Sequence, residues 1–225
     1  MNAPMRNKTL HELPYMLSSL RKEVRRWKRP IVGTFATGKN ALFKILISTV
    51  LSLRTKDKTT EEASRRLFQA AQTPDELLKL DIPEIEKLIY PVGFYHTKAR
   101  NLIQICQQLN TRFGGQVPDE MDSLLSLPGV GRKTANLVLT VGHGKEGICV
   151  DTHVHRISNR WGLVKTKTPE ETEMALRKAL PKRYWIEYND LLVAFGQNHC
   201  VPVSPFCSTC KLTDHCPRVG VTKSR

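Results

Sequence analysis

Apolar positions recur along the chain at helical spacing and are punctuated by Pro, Gly and capping residues. From Leu10 to Lys28 they describe an amphipathic helix that ends in a basic run, Arg21-Lys22 through Arg25-Arg26-Trp27-Lys28-Arg29, closed by Pro30. Residues 30–39, with Pro, Gly and Thr, read as a linker. Asn40–Leu53 is apolar enough to be a buried helix, and another is expected from about Thr60 to Ala71. Thr73-Pro74-Asp75-Glu76 reads as a capping box with Pro at the first helical position, opening Asp75–Leu80. A short helix follows Pro83, and Gly93-Phe94-Tyr95-His96 breaks the chain before a long helix over about Thr97–Phe113. Met121–Leu127 and Arg132–Val141 form two more helices across a Pro-Gly turn. Past Asp151 come a helix to about Trp161, a second capping box at Thr168-Pro169-Glu170-Glu171 opening a helix to Leu180, and a helix over about Tyr184–Gln197. No segment alternates with period two, and no repeat or low-complexity tract occurs, so the pattern predicts an all-α protein.

Charge narrows the class of partner. The 225 residues carry 35 Lys and Arg against 21 Asp and Glu, a net charge of +14. Such an excess suits a polyanion, nucleic acid or an anionic membrane surface, although a solvated basic surface is also common. The most apolar stretch, Leu42–Leu53, contains Lys44, Ser48, Thr49 and Ser52 and reads as a core helix, so no membrane span is expected. Without the apolar core of a signal peptide at its start, the chain is expected to be soluble and intracellular. In that compartment six Cys are metal ligands or buried thiols before they are disulfides.

The densest chemistry lies between Leu127 and Asp151. In Leu127-Pro128-Gly129-Val130-Gly131-Arg132-Lys133-Thr134-Ala135, the glycines allow positive φ and leave main-chain amides uncovered at the start of a helix. Amides, helix dipole and glycines together make a seat for one phosphate. Lys133 falls in the first turn, where the dipole disfavours a cation and so favours the neutral amine. Two readings stand: a nucleophile beside a bound phosphodiester, or a plain phosphate contact. Asp151, ahead of Thr152-His153-Val154-His155, reads as an N-cap, a role that would also fix its carboxylate.

Cys200, Cys207, Cys210 and Cys216 follow the spacing C-x6-C-x2-C-x5-C. Four thiols that close together point to a metal centre. Zinc satisfies a set of four thiolates, but its modules usually bring two C-x2–4-C pairs and this run has one. Cys106 and Cys149 lie in apolar runs and read as small buried hydrophobes.

The run Leu-Pro-Gly-Val-Gly-Arg-Lys-Thr-Ala, followed 18 residues after Lys133 by Val-Asp-Thr-His, resembles the helix-hairpin-helix DNA glycosylases, and among them the endonuclease III branch of glycosylase/abasic-site lyases. The likeness runs from about Asn40 to Cys216. It implies that Lys133 is a Schiff-base nucleophile, that Asp151 is the catalytic carboxylate, and that the four Cys match the family's [4Fe–4S] loop. It further implies a six-helix barrel over about 35–145, a second helical domain over 1–34 and 146–225, and a monomer acting on double-stranded DNA that carries a damaged base or abasic site. The activity implied is removal of oxidised or damaged pyrimidines with strand cleavage by β-elimination. A thymine or uracil mismatch glycosylase on the same fold is the alternative, although relatives of that kind tend to lack the Lys. The compartment would be the cytoplasm or nucleoid, or the nucleus or mitochondrion of a eukaryote.

DNA contacts are expected at Gly129, Gly131 and Arg132 of the hairpin and at two loops that match the family's base-extruding loops, Leu53–Lys56 and Gly93–Tyr95. Phe94 is either the wedge of the second loop or an ordinary core residue. Arg54 departs from the Gln usual in the family and leaves the opposite-base preference open. Asp57 reads as a cap for the next helix. His153 is either near the site or a satisfied helix histidine.

Overall fold

The structure, a computed structural model, describes residues 3–27, 35 and 38–225, the side chains of 3–9 excepted. Lys28, Arg29, Pro30 and most of the expected 30–39 linker lie outside the described residues. Every regular element among the described residues is helical, and none of these helices is long and apolar enough to cross a membrane. The chain divides into two compact units, Pro30–Gly147 and Met1–Arg29 with Ile148–Arg225.

The continuous unit is built on α2 (Ala41–Ser52), whose residues are buried almost throughout, including Ser48 and Thr49. Both hydroxyls bond back to the Ile45 carbonyl, Thr49 at 2.6 Å, so they enter the core without an unmet donor. Around α2 stand α3 (Asp57–Ala70), α4 (Pro74–Leu77), α5 (Ile82–Ile89), α6 (Tyr95–Phe113), α7 (Met121–Leu125) and α8 (Arg132–Leu137). The expected helix Arg132–Val141 instead ends at Leu137 and widens into a π-turn over Val138–Gly142, in which His143 N donates to the Val138 carbonyl. Thr140 takes part in the change, since its hydroxyl bonds the Asn136 carbonyl at 2.8 Å. Arg66 of α3 donates to the carbonyls of Leu88 and Tyr90 and so anchors the end of α5.

Caps differ from the expectation in detail. Thr73 and Thr168 do accept from the amides of Glu76 and Glu171, but each glutamate reaches the amide of Gln72 or Lys167, one residue before the threonine. The reciprocal box forms at Asp81 and Glu84, ahead of Pro83. Asp57 is the first residue of α3 and Lys56 its N-cap, so the carboxylate stands in the first turn, where the helix dipole favours it.

The discontinuous unit packs α1 (Ala3–Val24) with α9 (Thr152–Arg160), α10 (Pro169–Ala179) and α11 (Trp185–Asn198). Leu13, Met16, Leu17 and Leu20 line the buried face of α1 at i, i+3, i+4, i+7. They meet Val154, Ile157, Trp161, Tyr188, Leu192 and Phe195. Cys149 and Cys106, one in each unit, are buried as expected, and burial pushes the Cys106 thiol up to about 12. Tyr188 is fully buried, and its hydroxyl pairs with Ser158 at 3.0 Å. Tyr188→Phe removes that partner and leaves the Ser158 hydroxyl buried without it. The variant is expected to lose about 1–2 kcal/mol, measured by urea unfolding.

Candidate functional site

The hairpin forms where the Pro-Gly signal places it. α7 ends at Leu125, the chain turns with Val130 N donating to the Leu127 carbonyl at 3.1 Å, and α8 opens after Gly131. Gly129 sits at φ +76°, a conformation that L side chains rarely adopt. A Cβ there would also stand 2.6 Å from Asn101 Nδ2, so α6 backs the turn, a contact with no sequence signal of its own. Gly129 and Gly131 are exposed, while Arg132 and Lys133 are half-buried in the first turn of α8. Gly131 brings no side-chain acceptor to that helix end.

Asp151 is the N-cap of α9. Its Oδ1 accepts from His153 N at 2.8 Å and from Val154 N at 2.9 Å, which holds the half-buried carboxylate in one orientation. The approach to it is held as well: Ile148, Cys149 and Val150 are buried, and Asn189 donates to the Cys149 carbonyl at 3.1 Å. His153 turns its Nδ1 to Arg156 at 3.0 Å, so its ring is held within α9. Arg156 also bonds the carbonyls of Gly196 and Cys200, and a Cβ at Gly196 would run into the His153 ring. Burial works against the charge of Arg156, and nearby Asp151 favours it.

The loop after α11 brings Cys200, Cys207, Cys210 and Cys216 to the lining of one cavity, with Trp161, Phe195 and Leu212 among its walls. All four thiols are free. Arg160, only 9% exposed, spans the mouth of the loop: it donates to the carbonyls of Val201 (2.8 Å) and Pro202 (2.7 Å) and to Cys200 Sγ at 3.3 Å. Leu212 N points at Cys210 Sγ at 3.4 Å. Burial pushes the Cys216 thiol up to about 11, so a thiolate there needs a compensating cation. Among the described residues no three His, Cys, Asp or Glu side chains are gathered so as to hold a single metal ion. The four thiols nonetheless line one cavity with apolar walls. Lys211 and Arg218, the loop cations, are exposed.

The two loops singled out for extrusion meet in the continuous unit. Arg54 and Phe94 both adopt left-handed backbone, at φ 52° and 59°, and the Arg54 guanidinium lies 5.5 Å from the centre of the Phe94 ring. Phe94 is 62% exposed and is therefore no core residue. Sequence reasoning missed Asn101, Arg156 and Arg160. Each acts through main-chain or ring contacts between segments distant along the chain.

Comparison with known proteins shows the family to which the chain belongs. Residues 47–182 match the family described as HhH-GPD superfamily base excision DNA repair protein. The chain is 52% identical over 174 residues to endonuclease III of Thermotoga maritima, covering 77% of this chain and 82% of that one. It is 47% identical over 194 residues to the chloroplastic endonuclease III homolog 2 of Arabidopsis thaliana, covering 82% of this chain and 50% of that one. Among solved structures, a trapped endonuclease III–DNA covalent intermediate, an estranged-adenine complex, superposes with a TM-score of 0.82 at 34% identity, covering 93% of this chain and 96% of that one.

The meeting of the two loops depends on Gly93. A Cβ at that position would stand 2.7 Å from the Arg54 carbonyl oxygen, a main-chain atom that no rotamer change can move. Gly93→Ala is expected to cost about 1–3 kcal/mol in thermal or urea unfolding, where an unhindered Gly→Ala would stabilise slightly.

Proposed function

Because the chain belongs to the HhH-GPD superfamily of base excision DNA repair proteins, we propose that it is a bifunctional DNA glycosylase and abasic-site lyase of the endonuclease III kind, acting on oxidised or damaged pyrimidines in double-stranded DNA. The observation that carries the reading is the likeness, over 93% of this chain, to an endonuclease III caught covalently on DNA. A covalent intermediate needs a nucleophile, and Lys133 offers one in the first turn of a helix opened by Gly129 and Gly131.

In this reading the hairpin amides seat a phosphate and Arg132 adds charge beside them. The Lys133 amine attacks C1′ of the extruded nucleotide. The glycosidic bond breaks with its electron pair leaving on the base, the sugar ring opens, and the amine nitrogen and C1′ are joined as an imine. The imine acidifies the C2′ proton. Loss of that proton forms the C2′–C3′ double bond and expels the 3′ phosphate, and water then releases the lysine. Asp151, its carboxylate fixed by two main-chain amides, stabilises positive charge developing on the sugar and helps move protons. Arg54 and Phe94 enter the duplex where the nucleotide has left. His153 orients Arg156 and contacts DNA only secondarily. A monofunctional mismatch glycosylase would need Lys133 only as a phosphate contact.

Cys200, Cys207, Cys210 and Cys216 would hold a [4Fe–4S] cluster. Supporting this are the four free thiols that line one apolar-walled cavity and their C-x6-C-x2-C-x5-C spacing. Bound there, the cluster would tie the loop together.

Both assignments can be tested directly. Borohydride added during turnover is expected to trap a covalent protein–DNA adduct. Lys133→Gln is expected to abolish adduct and strand cleavage while leaving duplex affinity nearly unchanged, since one contact among several is lost. Asp151→Asn should slow base release yet retain cleavage at a preformed abasic site, where no base must depart. Base release without any trapping would make the enzyme monofunctional, and trapping that survives Lys133→Gln would place the nucleophile elsewhere. The freshly isolated protein is also expected to be yellow-brown, with about four irons per chain by elemental analysis. Stoichiometric zinc would overturn the cluster assignment.

A further inference from the structure

Lys98 is a cation in the interior. It lies one turn into α6 and is 6% exposed. Its ammonium donates to three oxygens, the carbonyls of Leu51 (2.8 Å) and Leu53 (2.6 Å) and the hydroxyl of Thr55 (3.3 Å). These acceptors belong to the end of α2 and the turn after it, where a helix has carbonyls to satisfy and its dipole favours a positive charge. The Thr55 hydroxyl is shared, for it also receives Gly93 N at 3.2 Å and points to the Leu53 carbonyl at 3.2 Å. One hydrogen-bonded bridge therefore runs from α6 through Lys98 and Thr55 to both loops, ending at Leu53, which precedes Arg54, and at Gly93, which precedes Phe94. Burial pushes the Lys98 amine down to about 8, while three acceptors and the helix end work to keep it charged.

We propose that Lys98 is a positioning residue for nucleotide extrusion: its ammonium locks the Leu53–Lys56 and Gly93–Tyr95 loops together and so presents Arg54 and Phe94 to the duplex as a single rigid wedge. The inference rests on the proposed glycosylase reading and adds to it a residue that touches neither DNA nor the reacting atoms. A residue that merely supports the core would weaken every activity alike. A strut for the wedge weakens only the steps that require a base pair to be opened. Single-stranded DNA with an abasic site has no pair to open, so chemistry there is independent of the wedge.

The test compares Lys98→Met with wild type in two assays. In the first, a duplex carries a damaged pyrimidine beside 2-aminopurine, whose fluorescence rises on unstacking, and release of the damaged base is followed in the same duplex. In the second, borohydride traps the enzyme on a single-stranded abasic oligonucleotide. Lys98→Met is expected to lose about tenfold in unstacking amplitude and in base release from duplex, while trapping on the single strand stays within about twofold of wild type. Equal losses in both assays, or no loss in either, would overturn the proposal. Should Lys98→Met fail to fold, Thr55→Val keeps the lysine and removes only the shared hydroxyl. It is expected to show the same selective loss, about threefold, and an unselective result would overturn the proposal as well. Wild-type protein that is never trapped on the single strand would instead sink the lyase reading, a separate signal from any behaviour of the variants.

Discussion

A helix leaves its first amides and last carbonyls without partners inside itself, and the residues assigned to chemistry here stand where those groups are met. Asp151 answers the amides that open α9, with its negative charge at the positive end of the dipole. The same helix ends at Arg160, a cation at the negative end, which grips the loop carbonyls of Val201 and Pro202. Arg156 meets the Gly196 carbonyl near the end of α11, and Lys98 meets the carbonyls at the end of α2. α8 opens without a side-chain acceptor, because its N-cap is Gly131. A phosphate is the group that would complete it.

The cysteine loop shows what happens when helices run out. After α11 the chain has only short turns, and of its side chains Leu212 enters the buried core of that unit, with Cys200, Cys210 and Cys216 packed partly against it. Its shape is held by main-chain bonds to arginines instead. Arg160 and Arg156 hold its entry, and Arg225 closes its far side through the Ser204 carbonyl and the face of the Phe206 ring, 4.1 Å away. Four thiols line one apolar cavity there, and burial raises Cys210 and Cys216 above the ordinary thiol range, so their thiolates would demand a bound cation. A bound cationic cluster would meet that demand and fix the loop together.

Much of this was legible in the sequence because it depends on local rules. Helix positions followed from apolar spacing and from Pro, Gly and capping residues, but boundaries moved: α3 begins three residues before the expected start, and α1 runs over Ala3–Val24 where Leu10–Lys28 was expected. Asp151 as an N-cap and Cys106 and Cys149 as buried thiols needed only neighbours in sequence. What stayed hidden depends on contacts between distant segments. The π-turn after Leu137 reflects the packing of α2 against it, which no window over Arg132–Val141 contains. Phe94 is exposed at the surface and rests against Arg54, forty residues away. Lys98 was invisible for a sharper reason: in Thr97-Lys98-Ala99-Arg100 it looks like any solvated helix lysine, and only the end of α2 makes it an interior one.

A buried lysine is a costly way to support a loop, so the choice needs a cause. Arg54 and Phe94 both hold left-handed backbone, and non-glycine residues in that region carry about 1–3 kcal/mol of strain each, tolerated only where the surroundings over-determine the geometry. Apolar packing cannot supply the restraint, because the tip of a wedge has to stay exposed and Phe94 is 62% exposed. The restraint must come from below, through main-chain atoms of the loops themselves. Hydrogen bonds from a charged donor contribute about 1.5–3 kcal/mol each, the right order to offset two strained residues. An isosteric apolar side chain at 98 would leave the Leu51 and Leu53 carbonyls without that donor and the shared Thr55 hydroxyl without its tie to α6. The cation thus lets an exposed aromatic tip keep one conformation, which hydrophobic burial by itself could not do.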